Sequence, residues 1–314
     1  MPITDSPVVH PDAPLVKKYL LAVRPMFLTA SILPVLLGTA IGVSSVAQFD
    51  VAAFVLALFS VMLAHAGVNV LNDVYDDLNG TDRFNDERIS PFTGGSRFIQ
   101  DEVLSQSQMR RWGHLLLTIS AILGLILILH KGLIVLGLGL TGLLLGVAYS
   151  APPLALASRG LGELAVGIGF GVLPVVGAAW LQTGFFSWEA LLLSVPVSIW
   201  VANILLVNEV PDYTADSKAG KNTLVVRLGF RWSALLYVLL NAVALATLVW
   251  GTVLGYLPAP ALIVCGVLFV LALLAGRIMM KWQAHPEQMA VAIKLTLAIH
   301  AVNCIGLLGW YIAG

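Results

Sequence analysis

Hydrophobic positions in this chain come in long blocks interrupted by few polar residues, not in short alternating runs. A membrane-spanning helix needs about 20 mainly apolar residues. Nine segments of roughly that length follow one another, near 22–46, 52–75, 109–129, 132–150, 161–182, 187–208, 232–254, 257–280 and 289–312. The pattern predicts an all-α, polytopic membrane protein with nine transmembrane helices, forming one domain over residues 1–314. Three connections are polar: 76–108, 209–231 and, more weakly, 281–288. Residues 1–20 read as a polar N-terminal segment carrying Asp5 and Asp12, without the basic start and short apolar core of a cleaved signal peptide.

The basic residues set an orientation. With the N-terminus in the cytoplasm and nine spans, all seventeen Lys and Arg residues except Lys131 fall on the cytoplasmic side. The positive-inside rule expects that bias. Missing or inventing one span would move every later loop to the other side, so the charge pattern supports nine helices independently of hydropathy. The expected location is a bacterial or archaeal cell membrane.

Composition agrees. Hydrophobic residues make up 59% of the chain and charged residues only 11%, against roughly 25% charged in a soluble domain. Mean hydropathy is +0.92. The formal net charge of zero argues against a nucleic-acid partner. Cys265 and Cys304 sit far apart in apolar runs and suggest neither a disulfide framework nor a zinc site.

Most of the acidic residues gather in two stretches at the cytoplasmic ends of helices two and six. The first reads N-V-L-N-D-V-Y-D-D-L-N-G-T-D, Asn69 to Asp82; the second reads N-E-V-P-D-Y-T-A-D-S-K-A-G-K-N-T, Asn208 to Thr223. Residues four apart share a helix face, so Asn208, Asp212 and Asp216 form one stripe. In the first motif two stripes compete: Asn69, Asp73 and Asp77, or Asn72 and Asp76 with Asp82 in the loop beyond. Spacing alone does not choose. Stacked carboxylates repel one another and are costly to desolvate, and a divalent cation relieves both penalties. Mg²⁺ takes one or two protein carboxylates and fills its other positions with water and phosphate oxygens. Basic residues follow each motif: Arg83, Arg88 and Arg97, then Lys218, Lys221 and Arg227. The pattern predicts a Mg²⁺–diphosphate site.

Four blocks carry a resemblance to a known family: R-P-M-F-L-T-A-S-I-L-P-V-L-L-G-T-A from Arg24; N-D-V-Y-D-D-L-N-G-T-D with S-P-F-T-G-G-S-R, ending at Arg97; Y-S-A-P-P-L from Tyr149, then R-G-L-G-E-L and F-G-V-L-P-V-V-G; and N-E-V-P-D-Y-T-A-D-S-K-A-G-K-N-T-L-V-V-R-L-G from Asn208. The chain resembles the UbiA superfamily of intramembrane prenyltransferases over nearly its whole length. It is most similar to the branch that prenylates 1,4-dihydroxy-2-naphthoate in menaquinone synthesis. The resemblance implies a ring of nine helices around a central cavity open laterally to lipid. It also implies Mg²⁺-dependent transfer from a polyprenyl diphosphate to an aromatic acceptor. It favours Asn72, Asp76, Asp82, Asp212 and Asp216 as metal ligands. Lys218, Lys221, Arg88, Arg97 and Arg159 are candidate diphosphate partners, and the loop 90–96 is a candidate cover for the site. Tyr149 is placed to shield an allylic cation with its ring, or to sit in the interfacial aromatic belt. Glu209 and Pro211 depart from the branch, which often has Asn and Arg there.

His65, His114 and His300 lack partners at ligand spacing and are expected to be packing residues. The other acceptors weighed are 4-hydroxybenzoate, homogentisate, haem and a glycerol phosphate lipid. A cation transporter is the alternative of another class; its carboxylates would lie near the bilayer midplane rather than at one end. An inert scaffold subunit explains neither acidic motif.

Overall fold

The computed structural model describes residues 9–46 and 48–313, so Asp5 and the first part of the polar 1–20 segment lie outside the described residues. Eleven α-helices appear among the described residues: α1 Leu15–Ala22, α2 Thr29–Ser44, α3 Val51–Asn79, α4 Gln106–Lys131, α5 Ile134–Ser150, α6 Gly162–Gly167, α7 Leu173–Thr183, α8 Trp188–Lys218, α9 Leu224–Val253, α10 Ala261–Met280 and α11 Met289–Ala313. A π-helical turn, Ile168–Val172, joins α6 to α7, so Gly162–Thr183 forms one span. Among the described residues eight spans are long and apolar enough to cross a membrane, and α5 is a shorter apolar helix of 17 residues. At 1.5 Å per residue α5 reaches about 26 Å, close to the hydrocarbon thickness.

Local chemistry explains where the helices start and stop. Asp50 caps α3 by accepting a hydrogen bond from the Ala53 amide at 2.9 Å, and the helix ends at Gly80, whose φ is 84°. Ser105 and Gln108 form a reciprocal capping box on α4. The sequence pattern gives a polar segment over 1–20 and a first span from about 22; the structure has helix α1 at Leu15–Ala22, set off from α2 at Arg24, which adopts a left-handed conformation before Pro25. Glycine at 229, with φ 71° and ψ 169°, breaks α9 near its start. The apolar pattern therefore registers only the part beyond it. In contrast, α3 and α8 run on to Asn79 and Lys218, past the apolar blocks, and carry both acidic motifs on helix.

Neighbouring helices pack in a ring: α2 on α3, α3 on α4, α4 on α5, α5 on α6, α6 on α8, α8 on α9, α9 on α10, α10 on α11 and α11 on α2. The α8 helix is the most buried span and anchors the main core, which includes Val197, Trp200, Tyr237, Ala272 and Ile293. Outer faces are apolar and exposed, for example Leu129, Val253 and Ile263, as lipid contact requires. A second close contact joins α2 to α7. It depends on glycine: a Cβ on Gly38 would lie 2.1 Å from the Val175 carbonyl oxygen.

Gly38→Val is expected to force α2 from α7 and to cost at least about 1–3 kcal/mol. The expected readout is a clear fall in Tm of the detergent-solubilised protein. Gly306→Ala, at a position with no neighbour within 4 Å, is the control that should leave Tm unchanged.

Candidate active site

A cavity of about 520 Å³ opens among α2 to α8. Its mouth is polar and its interior apolar. The mouth carries Arg24, Asn69, Asn72, Asp76, Asp82, Asn85, Tyr149, Asn208, Glu209, Asp212, Asp216 and Lys221. Deeper walls are built by residues such as Val61, Ala64, Leu117, Leu138 and Leu173, and the far end by Ala57, Leu127, Val135 and Leu181. From Asp76 to Ala57 the cavity follows nineteen residues of α3, about 28 Å of rise. Leu125 on α4 and Leu136, Leu140 and Leu143 on α5 line the cavity and are exposed, so this wall is the one least covered by other helices.

The two acidic helix ends meet. Lys221 Nζ, in the loop after α8, is 2.9 Å from Asp76 Oδ1 on α3 and 3.4 Å from Asp216 Oδ1 on α8. Burial pulls the Lys221 ammonium towards neutrality, but Asp76 and Asp216 more than reverse this and hold it well above the usual lysine range. Asp212 accepts hydrogen bonds from Asn85 Nδ2 at 2.7 Å and from the Gly94 amide at 3.3 Å. Asn72 donates to Ser150 Oγ at 3.1 Å, which ties the first motif to the end of α5.

The competing stripe of α3 does different work. Asp73 accepts from the Ser96 amide at 3.0 Å, and Asp77 from Gln100 at 3.2 Å and Gln106 at 2.8 Å. These bonds pin the connection 90–106 across the mouth. Thr93, Gly94 and Gly95 become part of the cavity wall. Gly95 is required there: its φ is 69°, and a Cβ would lie 2.9 Å from Asp73 Oδ1. Asp82 accepts from Gln100 Nε2 at 3.2 Å. Burial, then the nearby Asp76 and Asp73, push its carboxyl up to about 9.

Of the five basic residues marked in the sequence, Lys221 alone lines the cavity. Lys218 is exposed on the side of α8 away from the site, because two helical residues after Asp216 turn about 200°. The Arg159 guanidinium is bonded to the Pro153 carbonyl at 2.8 Å, outside the wall. That of Arg97 is taken by the Asp82 carbonyl at 2.8 Å and by Asp101 at 3.7 Å, so it supports the acidic loop. Arg88 lies behind Gly94, beyond the wall. Arg24 replaces them as the second cation of the mouth. Its Nη2 donates to the Phe92 carbonyl at 2.8 Å, while its Nε is buried without a partner. Sequence reading missed Arg24 as a site residue although it opens the first resemblance block. It also missed Asn85, for which no local signal exists. Glu209 lines the cavity with its Oε2 accepting from the Val225 amide at 3.3 Å.

The mouth fits a hard divalent cation. Asn72, Asp76, Asp82, Asp212 and Asp216 all present oxygen donors around one opening. Asn85 Oδ1 and Asn208 Oδ1, also at the mouth, are buried and receive no hydrogen bond. Burial first, and then the neighbouring Asp76 and Asp73, raise the Asp82 carboxyl, and a cation at the mouth would relieve both. Among the described residues no three His, Cys, Asp or Glu side chains converge closely enough to hold an ion unaided. An ion here therefore completes its shell with water or ligand oxygens.

Fold and site define a polytopic membrane protein with an anionic mouth over an apolar interior. The UbiA prenyltransferase family model matches residues 31–299, and the chain belongs to that family; it is a prenyltransferase. The 1,4-dihydroxy-2-naphthoate octaprenyltransferase of Bacillus subtilis is 30% identical over 224 residues, 70% of this chain and 69% of that protein. The enzyme of the same name from Haemophilus influenzae is 30% identical over 259 residues, 80% of each chain. Among solved structures, a UbiA homolog from Archaeoglobus fulgidus bound to GPP and Mg²⁺ superposes with a TM-score of 0.60 at 18% identity, covering 93% of this chain and 99% of that one. The fold is the same.

Lys221→Met strands two buried carboxylates and is expected to cost about 3–5 kcal/mol, read as a lower Tm in EDTA. Adding Asp76→Asn to it should recover part of the loss. A Lys221→Met protein as stable as wild type would show that the bridge does not hold the two helix ends together.

Proposed function

We propose that this prenyltransferase moves a polyprenyl group from polyprenyl diphosphate to 1,4-dihydroxy-2-naphthoate, with Mg²⁺, in menaquinone synthesis. The observation that carries this reading is the convergence of both acidic motifs and Lys221 on the mouth of one long apolar cavity. The diphosphate lies at the mouth and the isoprenoid tail runs down the cavity towards Leu181, leaving sideways between α4 and α5 when longer. Asn72, Asp76, Asp82, Asp212 and Asp216 are the residues that would hold Mg²⁺. When bound, the ion neutralises charge that develops on the departing diphosphate.

The chain's own residues supply the remaining requirements. Lys221 donates to the leaving diphosphate as the allylic C–O bond breaks. The Tyr149 ring faces the resulting cation from the cavity wall. The apolar walls, and the loop carrying Gly94 and Gly95, keep out water that would otherwise capture the cation. An electron-rich aromatic carbon then forms the new C–C bond. Arg24, with its free Nε–H, suits the carboxylate of an aromatic acid at the mouth. The naphthoate acceptor is favoured by the relatives' activities, since two of them act on 1,4-dihydroxy-2-naphthoate.

The same geometry supports an orientation. Both motifs and Lys221 lie at one end of the ring. The exceptional Lys131 lies at the other, 2.7 Å from Asp50 at the start of α3. We assign the motif end to the cytoplasm. A transporter reading is disfavoured because the deep cavity has apolar walls; its serines, Ser60 and Ser120, are bonded to each other and to each other's carbonyls.

Membranes containing the chain, given labelled polyprenyl diphosphate and a panel of aromatic acids, should yield a prenylated naphthoquinol lipid identified by mass. Asp76→Ala or Asp212→Ala should lower the rate by at least about 100-fold while membrane insertion persists, and EDTA should stop turnover. Wild-type rates in either variant would overturn the site assignment. A product on a different acid would replace the acceptor but keep the reaction.

A further inference from the structure

His65 stands in the cavity wall. On α3, His65, Asn69, Asn72 and Asp76 recur at spacings of four, three and four, and all four line the cavity. His65 is therefore about 10 Å deeper than Asn72 along the helix. The residue is 6% exposed.

Its imidazole is held on two sides. The ring lies against Phe170, with centroids 4.2 Å apart and planes at 31°. Nδ1 is 3.1 Å from Ser31 Oγ. Ser31 has one hydroxyl hydrogen, and it is directed at the Leu28 carbonyl, 2.9 Å away. A carbonyl only accepts, so the Ser31 oxygen is left to accept from His65 Nδ1–H. That chain of bonds fixes the tautomer: Nε2 carries a lone pair. Among the described residues no other hydrogen bond reaches the ring, which leaves Nε2 to a ligand in the cavity that His65 lines.

A packing histidine needs neither a fixed tautomer nor an open acceptor in an apolar wall, where an unmet acceptor is costly. Val61, Ala64 and Val68, which line the cavity one turn or less from it on α3, offer no side-chain donor. A polyprenyl chain has no donor either, and a diphosphate offers acceptors. A hydroxylated aromatic ring brings both an O–H and a flat face to lie along His65 and Phe170. Resting on the reading above, the geometry points to His65 as a catalytic residue that accepts a hydrogen bond from a ring hydroxyl of the aromatic acceptor. The contact draws electron density into the ring before attack. As the ring carbon forms its bond to the allylic carbon and the C–O bond to diphosphate breaks, the hydroxyl oxygen becomes a carbonyl and its proton passes to Nε2. Loss of the proton or carboxylate from the attacked carbon, as H⁺ to the released diphosphate or as carbon dioxide, returns an electron pair to the ring. The oxygen then takes its proton back from Nε2.

His65→Phe keeps the ring against Phe170 and removes Nε2. Expected is a fall of about 100-fold in kcat/KM for the dihydroxy acceptor, with KM for polyprenyl diphosphate unchanged. Blocking the contacting hydroxyl as its methyl ether should slow wild type by a similar factor and His65→Phe hardly at all. His65→Gln, which offers an amide oxygen, should recover part of the rate. If His65→Phe folds poorly, Ser31→Ala removes the Nδ1 anchor and should show a several-fold loss confined to free-hydroxyl acceptors. Equal losses on free and methylated acceptors, a raised KM for polyprenyl diphosphate, or unchanged rates would overturn the role of His65 while leaving the proposed reaction intact. A wild-type chain that prenylates no aromatic acid at all would overturn both.

Discussion

Lys221 sits between carboxylates that arrive from different helices, Asp76 on α3 and Asp216 on α8. Each helix end alone carries repulsive negative charge, and bringing the two together raises that repulsion. The bridge offsets part of it, but Asp82, Glu209 and Asp212 remain around the same opening. This excess charge is the constraint from which the rest of the molecule follows. It suits a cation-bearing ligand at the mouth, and a loop held tightly enough to keep bulk water from screening the site. Asp73 and Asp77 provide that lock from the opposite stripe of the same helix.

The cavity couples this charged mouth to an environment of the opposite kind. One helix, α3, contributes a graded wall: carboxylate at 76, amides at 72 and 69, imidazole at 65, then Ala64, Val61 and Ala57. A substrate with a charged head, a reactive allylic carbon and a long apolar tail meets those environments in the same order. Close packing of α2 on α7 through Gly38, and of α6 and α7 on α8, holds the wall in place.

The apolar blocks made the helical spans legible, because burial in lipid demands length and hydrophobicity regardless of neighbours. Their edges were less so. The pattern ended helix two near 75 and helix six near 208, yet α3 and α8 continue to Asn79 and Lys218 as polar helix. Hydropathy marks the membrane core, whereas helices end where capping chemistry ends them. The basic residues show a similar limit. Nearness in sequence to an acidic motif drew attention to Lys218, Arg97 and Arg159, but a side chain reaches a site only if its helix phase or loop directs it there. Arg24, forty-eight residues before Asn72, reaches the mouth when Lys218, two residues from Asp216, does not.

By itself, the sequence determined that this chain is a membrane-embedded bundle with two acidic stripes on helix ends, since composition and the 3.6-residue period are properties of each segment alone. Spacing left the two stripes of α3 open and the resemblance favoured one, but only the tertiary structure showed which faces the cavity. Asn72 and Asp76 line it, while Asp73 and Asp77 hold the covering loop. It alone also showed that His65, unremarkable in sequence, belongs to the same wall. The physical reason is that helical period fixes which residues share a face, but the packing of α3 against α2, α4, α5 and α7 fixes which face looks inward.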